Sequence, residues 1–396
     1  MSNSEHELER LIRRLAGGPV DRRTLLRRTA GGAMGLSLAS VIAACGGSSG
    51  TGGKPQTKVI PKSQPASTLS FSNWPLYIDK SVLKDFQKKY GTKVKYTEEI
   101  NDNVEFFGKV RQQLAQGSSG GRDLWALTDW MAGRMIRLGY VQKLDRSVLP
   151  NVEKNLLPAF RKADFDPTRD YSAPWQGIFA GLIYRKDKVT PHSVNDIFDP
   201  KLKGKVTMLT ESRDTVGLTM LGMGKDPAKA TMNDINAALD KIDKANRDGQ
   251  IRRFTGNDYT KDITKGDSWL IYGWSGDAVQ LQADNPNVRF FFPPEGFTLS
   301  SDNMQVPIGA PHAYTAELMM NYVYDPEVQA KIAKVVNYVT PVRGVKEVLA
   351  NENPKLAENQ LIFPSDKLLQ NAHIFRQLPP KEEAEFDARF EQVIGA

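Results

Sequence analysis

A single cysteine in 396 residues excludes an internal disulfide and any thiolate metal cluster. The four histidines, His6, His192, His312 and His373, are too scattered to give a metal-ligand spacing. No stretch after the N-terminal region approaches the roughly eighteen consecutive apolar residues of a membrane span. Long basic runs are missing too. The formal net charge is +7, and residues 1–44, with seven arginines against four acids, supply three of it, so that +4 remain. An excess this modest argues against nucleic acid as a partner. Catalytic motifs are equally thin. Gly222-Met223-Gly224-Lys225 resembles a phosphate loop, but Thr219 occupies the first glycine position and Asp226 follows the lysine. Gly273-Trp274-Ser275-Gly276 is one residue short of a nucleophile elbow, and spacing assembles no Ser/His/Asp set. The reading is a non-enzymatic protein with no catalytic residues, no metal and no cofactor.

Residues 1–44 read as an export signal, set apart from the fold. Asp21-Arg22-Arg23-Thr24-Leu25-Leu26-Arg27-Arg28 is a twin-arginine pattern ahead of a weakly apolar run, Ala33 to Ala44. That run ends in Ile42-Ala43-Ala44-Cys45, which resembles a lipobox, so Cys45 is the expected lipidation site and the chain is expected outside the cytoplasm, tethered to a membrane by its N-terminal lipid. Residues 45–66, rich in Gly, Ser, Pro and Lys, read as a flexible tether. About 330 residues follow, more than one core usually serves, so two lobes are expected.

From Thr68 the pattern alternates strand and helix. Leu69 to Asn73 reads as a strand, and Asp79 is placed to cap a helix with Val82, Leu83, Phe86 and Tyr90 on one face, stopped at Gly91. Lys93 to Thr97 alternates, Asn103 to Gln116 is helical through Val104, Phe107, Val110 and Leu114, and Asp123 to Thr128 is a buried-strand run. This β-α-β-α-β order implies a parallel sheet covered by helices. A second unit begins after Tyr171-Ser172-Ala173-Pro174, with strands at Phe179 to Tyr184, Lys205 to Leu209 and Ser268 to Trp274, a helix from Thr215 to Gly224, and Ser275 as a helix cap. Ala310 to Val323, Pro326 to Tyr338 and the charged last fifty residues read as helical.

Two strands end in aromatic and polar clusters: Ser70-Phe71-Ser72-Asn73-Trp74-Pro75-Leu76-Tyr77 and Asp123-Leu124-Trp125-Ala126-Leu127-Thr128-Asp129-Trp130. In open parallel sheets ligands sit at such strand ends. Tryptophans, a tyrosine, a threonine and a carboxylate gathered there suit an organic cation, held on ring faces and neutralised by the acid. Trp274 repeats the arrangement in the second unit. Trp125 and Trp269, inside strands, read as core.

The chain from about Thr68 to Val393 resembles the bacterial spermidine/putrescine-binding proteins of ABC transporters. The resemblance is carried by Asn73-Trp74-x-x-Tyr77, Arg122-Asp123-Leu124, Phe165-Asp166-Pro167, Asp170-Tyr171-Ser172-x-Pro174 and Lys203-Gly204. Further along it is carried by Thr210-Glu211, Pro293-Pro294-Glu295-Gly296, Ser301-Asp302 and Tyr338-x-Thr340-Pro341. It implies an α/β, two-lobed type II periplasmic binding-protein fold, each lobe a sheet flanked by helices, with the ligand in the interlobe cleft. Residues 67–177 with 303–345 would form the N-lobe, and 178–302 with 346–396 the C-lobe.

Carried over residue by residue, the resemblance makes Trp74, Tyr77, Thr128, Trp130, Trp274, Asp302 and Tyr338 ligand-binding. It also implies gaps: Leu76, Ser212 and Thr215 stand where the family has acids, Ser300 replaces a pocket tryptophan, and Phe375 falls near a glutamine. A buried ammonium needs partners, so Asp129, Glu211 and Asp214 are the candidate substitutes, with Arg213 a possible salt-bridge partner for one of the latter. The implied function is an exported receptor, a monomer, that hands a polyamine to ABC permease subunits. Two alternatives stay open: the same fold binding a quaternary amine, or a sensor lipoprotein that does not transport.

Overall fold

The computed structural model describes residues 64–395; the export signal, Cys45 and nearly all of the tether lie outside the described residues. The first lobe is built from β1 (Thr68–Asn73), α1 (Lys80–Tyr90), β2 (Lys93–Glu98), α2 (Asn103–Ala115), β3 (Leu124–Thr128) and α3 (Asp129–Arg137). Local chemistry fixes the ends of α1: the Asp79 carboxylate accepts from Ser81 N, and Gly91 takes the left-handed conformation at φ 70°. On α2 the buried face is Asn103, Phe106, Val110 and Leu114: Val110 and Leu114 are buried as expected, whereas Val104 is exposed and the first two buried positions fall one residue earlier than expected. Asp102 caps this helix and sets its rotation. β2, β1 and β3 pair in parallel, as their order requires.

Two long strands join the lobes. β4 (Ala173–Arg185) starts well before the expected Phe179, because the Ala173-Pro174-Trp175 segment is also extended and paired. The second lobe then supplies β5 (Val206–Leu209), α4 (Ser212–Gly222), α5 (Met232–Arg247), β6 (Ile251–Thr255), α6 (Tyr259–Lys265), β7 (Leu270–Trp274), α7 (Ser275–Asp284) and β8 (Val288–Phe291). β9 (Phe297–Gln305) runs antiparallel to β4 along most of its length. Its C-terminal half pairs with β3, and β4 pairs with β7 on the other side. The sheet order is β2-β1-β3-β9-β4-β7-β5-β6, so β4 and β9 are shared by both lobes.

Three sequence expectations need correction here. α4 begins at Ser212 rather than Thr215, directly after β5, with Glu211 at its N-terminal boundary. Ser275 does not cap α7; it is the first helical residue, and its buried hydroxyl has no hydrogen-bond partner. Trp269 lies just before β7, half-buried under the Lys205 ammonium 5.4 Å from its ring centroid, whereas Trp125 is fully buried as expected. After β9 come α8 (Ala313–Val323), α9 (Pro326–Val336), a two-residue strand β10 (Ala372–His373) beside β9, and α10 (Pro380–Ile394) packed on α5. The last fifty residues are helical in short pieces apart from α10.

Candidate functional site

The carboxyl ends of β1 and β3 meet those of β5 and β7, and the side chains just past these ends enclose a cavity of about 20 Å³, room for about one water. Trp74, after β1, gives its indole N–H to Ala126 O at 3.1 Å and meets Trp274 edge to face at 5.7 Å. Trp274 in turn donates to Asp214 Oδ2 at 2.9 Å, whose other oxygen accepts from Thr298 at 2.6 Å. Thr128, at the end of β3, donates to Asp302 Oδ1 at 2.9 Å; the two residues are register partners across β3 and β9. Tyr338 donates to Asp277 Oδ1 at 2.8 Å, while Tyr259 and Asn257 donate to Oδ2 at 2.6 and 2.7 Å. The Tyr77 ring stands edge-on to Tyr338 at 5.2 Å, and its buried hydroxyl lies near Asp302 without a well-aligned partner.

Four carboxylates, Glu211, Asp214, Asp277 and Asp302, therefore line one small cavity that no lysine or arginine lines. Burial is the main reason each is pushed up from its ordinary range: Glu211 to about 8, with Asp214 beside it adding to the rise, and Asp302 to about 7. Asp214 and Asp277 also rise through burial, against the pull of their hydrogen-bond donors. All the direct donors are neutral hydroxyl, indole or amide groups. Such a cluster binds protons or an organic cation, since either relieves the cost of buried negative charge. Among the described residues no group of histidine, cysteine and carboxylate side chains is arranged to hold a metal ion.

Eight of the ten residues expected at the site, Trp74, Tyr77, Thr128, Glu211, Asp214, Trp274, Asp302 and Tyr338, line this cavity. Asp129 and Trp130 do not, but line a larger chamber beside it. Asp129 holds β9 in place, accepting from Ser301 N at 2.9 Å, Ser301 Oγ at 2.7 Å and Asn303 Nδ2 at 2.8 Å. The Trp130 ring has guanidinium neighbours at 3.9 Å (Arg213) and 4.9 Å (Arg134), and its N–H donates to Glu211 Oε1 at 2.6 Å. Trp130 thus orients an acid of the cavity, as does Asn103, which donates to Glu211 Oε2 at 2.7 Å.

Arg213 pairs with neither Glu211 nor Asp214. It pairs with Glu383 at 3.2 Å and Asp387 at 2.8 Å on α10, where Arg134 and Arg137 also bind. Leu76 is 59% exposed in a left-handed conformation, φ 55°, and is no part of the cavity lining. Ser212 and Thr215 are buried but do not line it either, while the acids one position earlier, three residues apart, do.

Sequence reasoning missed Asp277, Asn257, Asn103 and Thr298. Asp277 was within reach: it sits three residues after Trp274 at a strand-to-helix junction, as Asp214 follows Glu211. Asn103 and Thr298 carry no such signal, because each acts on an acid far away in the sequence, Glu211 and Asp214 respectively. Gln176 is also notable, since it pairs in register with Asp302 across β4 and β9 and its buried amide has no partner.

The sequence pattern of the bacterial extracellular solute-binding proteins matches residues 81–363. The chain is 26% identical over 309 residues to the spermidine/putrescine-binding periplasmic protein of Escherichia coli (strain K12), covering 77% of this chain and 85% of that protein. It is 30% identical over 319 residues to the putrescine-binding periplasmic protein PotF of the same organism, covering 75% and 83%. The solved structure of the spermidine/putrescine ABC transporter substrate-binding protein PotD from Streptococcus pneumoniae superposes with a TM-score of 0.66 at 22% identity, over 83% of this chain and 98% of that one, and shows the same fold. The chain belongs to the bacterial extracellular solute-binding proteins, with their two-lobed type II fold.

Proposed function

We propose that this extracellular solute-binding protein captures a polyamine, putrescine or spermidine, between its lobes and delivers it to an ABC importer. The observation that carries the reading is the set of four buried carboxylates with raised pKa values around a cavity walled by Trp74, Trp274, Tyr77 and Tyr338 and lined by no protein cation. A protonated diamine supplies the positive charge that the neutral donors around these oxygens do not. Each charge-assisted bond contributes about 1.5 to 3 kcal/mol. A few such bonds, with cation–π contacts of up to about 2 kcal/mol, support micromolar binding, about −8.2 kcal/mol, after ordering costs. The polyamine relatives point the same way. The acid count weighs against a quaternary amine, which needs rings and cannot donate hydrogen bonds.

The Trp74–Trp274 contact closes the cavity below the size of a diamine, so capture requires the lobes to part and close again, the hinge motion general to such receptors. Export through the twin-arginine signal and lipidation at Cys45 complete the proposal and rest on the sequence motifs alone, and a monomeric state rests on the family resemblance; Cys45→Ser is expected to release the protein from membranes. The deciding experiment is isothermal titration of the purified protein with putrescine, spermidine and spermine, alongside choline and glycine betaine. Micromolar or tighter binding of a polyamine is expected. Binding of choline or betaine only would overturn the solute assignment.

A further inference from the structure

Beside the acidic cavity lies a larger chamber of about 270 Å³, walled in good part by Phe160, Phe165, Phe179, Leu299, Ile374 and Phe375. The two spaces share Thr128, Glu211, Asp214 and Ser300. Their boundary on β9 is Ser300, a small, half-buried side chain. Glu211 and Asp214 therefore face both a small acidic cage and a largely apolar room. A nitrogen held by these two acids stands at the doorway, and any group attached to that nitrogen enters the chamber.

Of the charged groups around the chamber, Lys162 and Asp164 are exposed at its edge, and Arg169 is held by Phe160 O, Ser172 and Asn303. Arg213 is committed to Trp130, Glu383 and Asp387, and Arg376 to Glu382. An unsubstituted polymethylene chain neutralises the acids but leaves the phenylalanine walls against water. An apolar arm would cover them, and burial of apolar surface is the dominant favourable term in binding of this kind.

Resting on the polyamine reading above, we propose that the ligand this site prefers is an N-substituted polyamine: its ammonium groups lie in the acidic cage, and an aryl or branched-alkyl arm on one nitrogen fills the chamber. The arm subsite sets specificity, and the cage sets charge.

The test is competitive titration of putrescine against N-benzylputrescine, with the wild-type protein and with Ala228→Trp. Ala228 is half-buried, lines the chamber and does not line the cage. The wild type is expected to bind the benzyl derivative at least tenfold more tightly than putrescine. Ala228→Trp is expected to lose that preference while keeping its affinity for putrescine. Equal or weaker binding of the benzyl derivative by the wild type overturns the arm subsite and leaves the polyamine reading standing. Silence of the wild type toward both ligands overturns the two together. Should Ala228→Trp fail to fold, Ala163→Trp fills the same chamber from another wall, and the wild-type ratio decides alone.

Discussion

The guanidinium carbon of Arg213 lies 3.9 Å from the ring centroid of Trp130, on the indole that also donates to Glu211. A ring face that the sequence offers to a ligand is occupied by the protein's own cation, and the indole N–H is spent on orienting a carboxylate. The same arginine ties α4 to α10 through Glu383 and Asp387, while Arg134 of α3 reaches the same two acids from the first lobe. Trp130 is thus the centre of an interlobe contact that places Glu211.

Trp130→Phe keeps a ring between the guanidinium groups and removes the N–H donor to Glu211. Loss of one hydrogen bond to a charged group implies roughly a tenfold drop in putrescine affinity, with the thermal midpoint little changed. Titration checks the first and a thermal melt the second; unaltered affinity would remove Trp130 from the positioning of Glu211.

Asp302→Asn is expected to weaken putrescine binding by roughly tenfold or more, as loss of a charge-assisted bond implies. The variant retains an acceptor for Thr128, so its fold is expected to persist. A putrescine affinity equal to wild type would place the ammonium elsewhere.

Ligand-free stability should fall as pH rises. Glu211 and Asp302 titrate at about 8 and about 7 in the folded protein, well above their ordinary range. Below about pH 4 both states are protonated and the stabilisation is complete; as pH rises through about 7 and 8 the folded state must give up protons it holds more tightly than the unfolded chain, and the stabilisation is lost. Melts between about pH 5 and about pH 9 should show a declining Tm, flattened in the Asp302→Asn, Glu211→Gln double variant. By the same linkage, putrescine binding near neutral pH should expel protons, giving a titration heat that depends on the buffer's ionisation enthalpy. A buffer-independent heat would show these acids already ionised.

Gly276 admits no side chain: a Cβ there would lie 2.3 Å from the Tyr338 ring. Gly276→Ala should displace Tyr338 from Asp277, cost about 1–3 kcal/mol of stability through overpacking, and lower polyamine affinity. Wild-type melting and binding in this variant would mean the ring moves aside freely.

Glu383→Gln leaves Arg213, whose own side chain is 9% exposed, without one of its two acids. Stripping a buried charge of its partner costs about 3–5 kcal/mol; Asp387 still pairs with Arg213, so the cost falls below that, and the more exposed Arg137 adds little. A Tm lower by several degrees is expected in differential scanning calorimetry, with weaker ligand binding because the lobes lose part of their closing contact. Full retention of both would show that Asp387 alone suffices.

Much of this was legible along the chain because its causes are local. Asp79 and Gly91 bracket α1 by capping and a left-handed turn, the apolar run before Thr128 makes a strand covered on both faces, and strand ends in a parallel sheet point to a ligand. Hence eight side chains chosen from strand ends and from the family resemblance line one cavity. Asp277 obeys the same strand-end logic, three residues after Trp274.

What the sequence determined by itself was the alternation of strand and helix, the aromatic and acidic character of the strand ends, and the class of binding protein. Only the tertiary structure decided which groups would be used up by one another. Arg213 could equally pair with Glu211, Asp214, Glu383 or Asp387 by charge alone; α10, arriving from nearly 170 residues away, supplies the acids that capture it. That choice leaves Glu211 and Asp214 buried without a salt bridge, so burial holds their protons on, and a cationic solute is what would let them ionise.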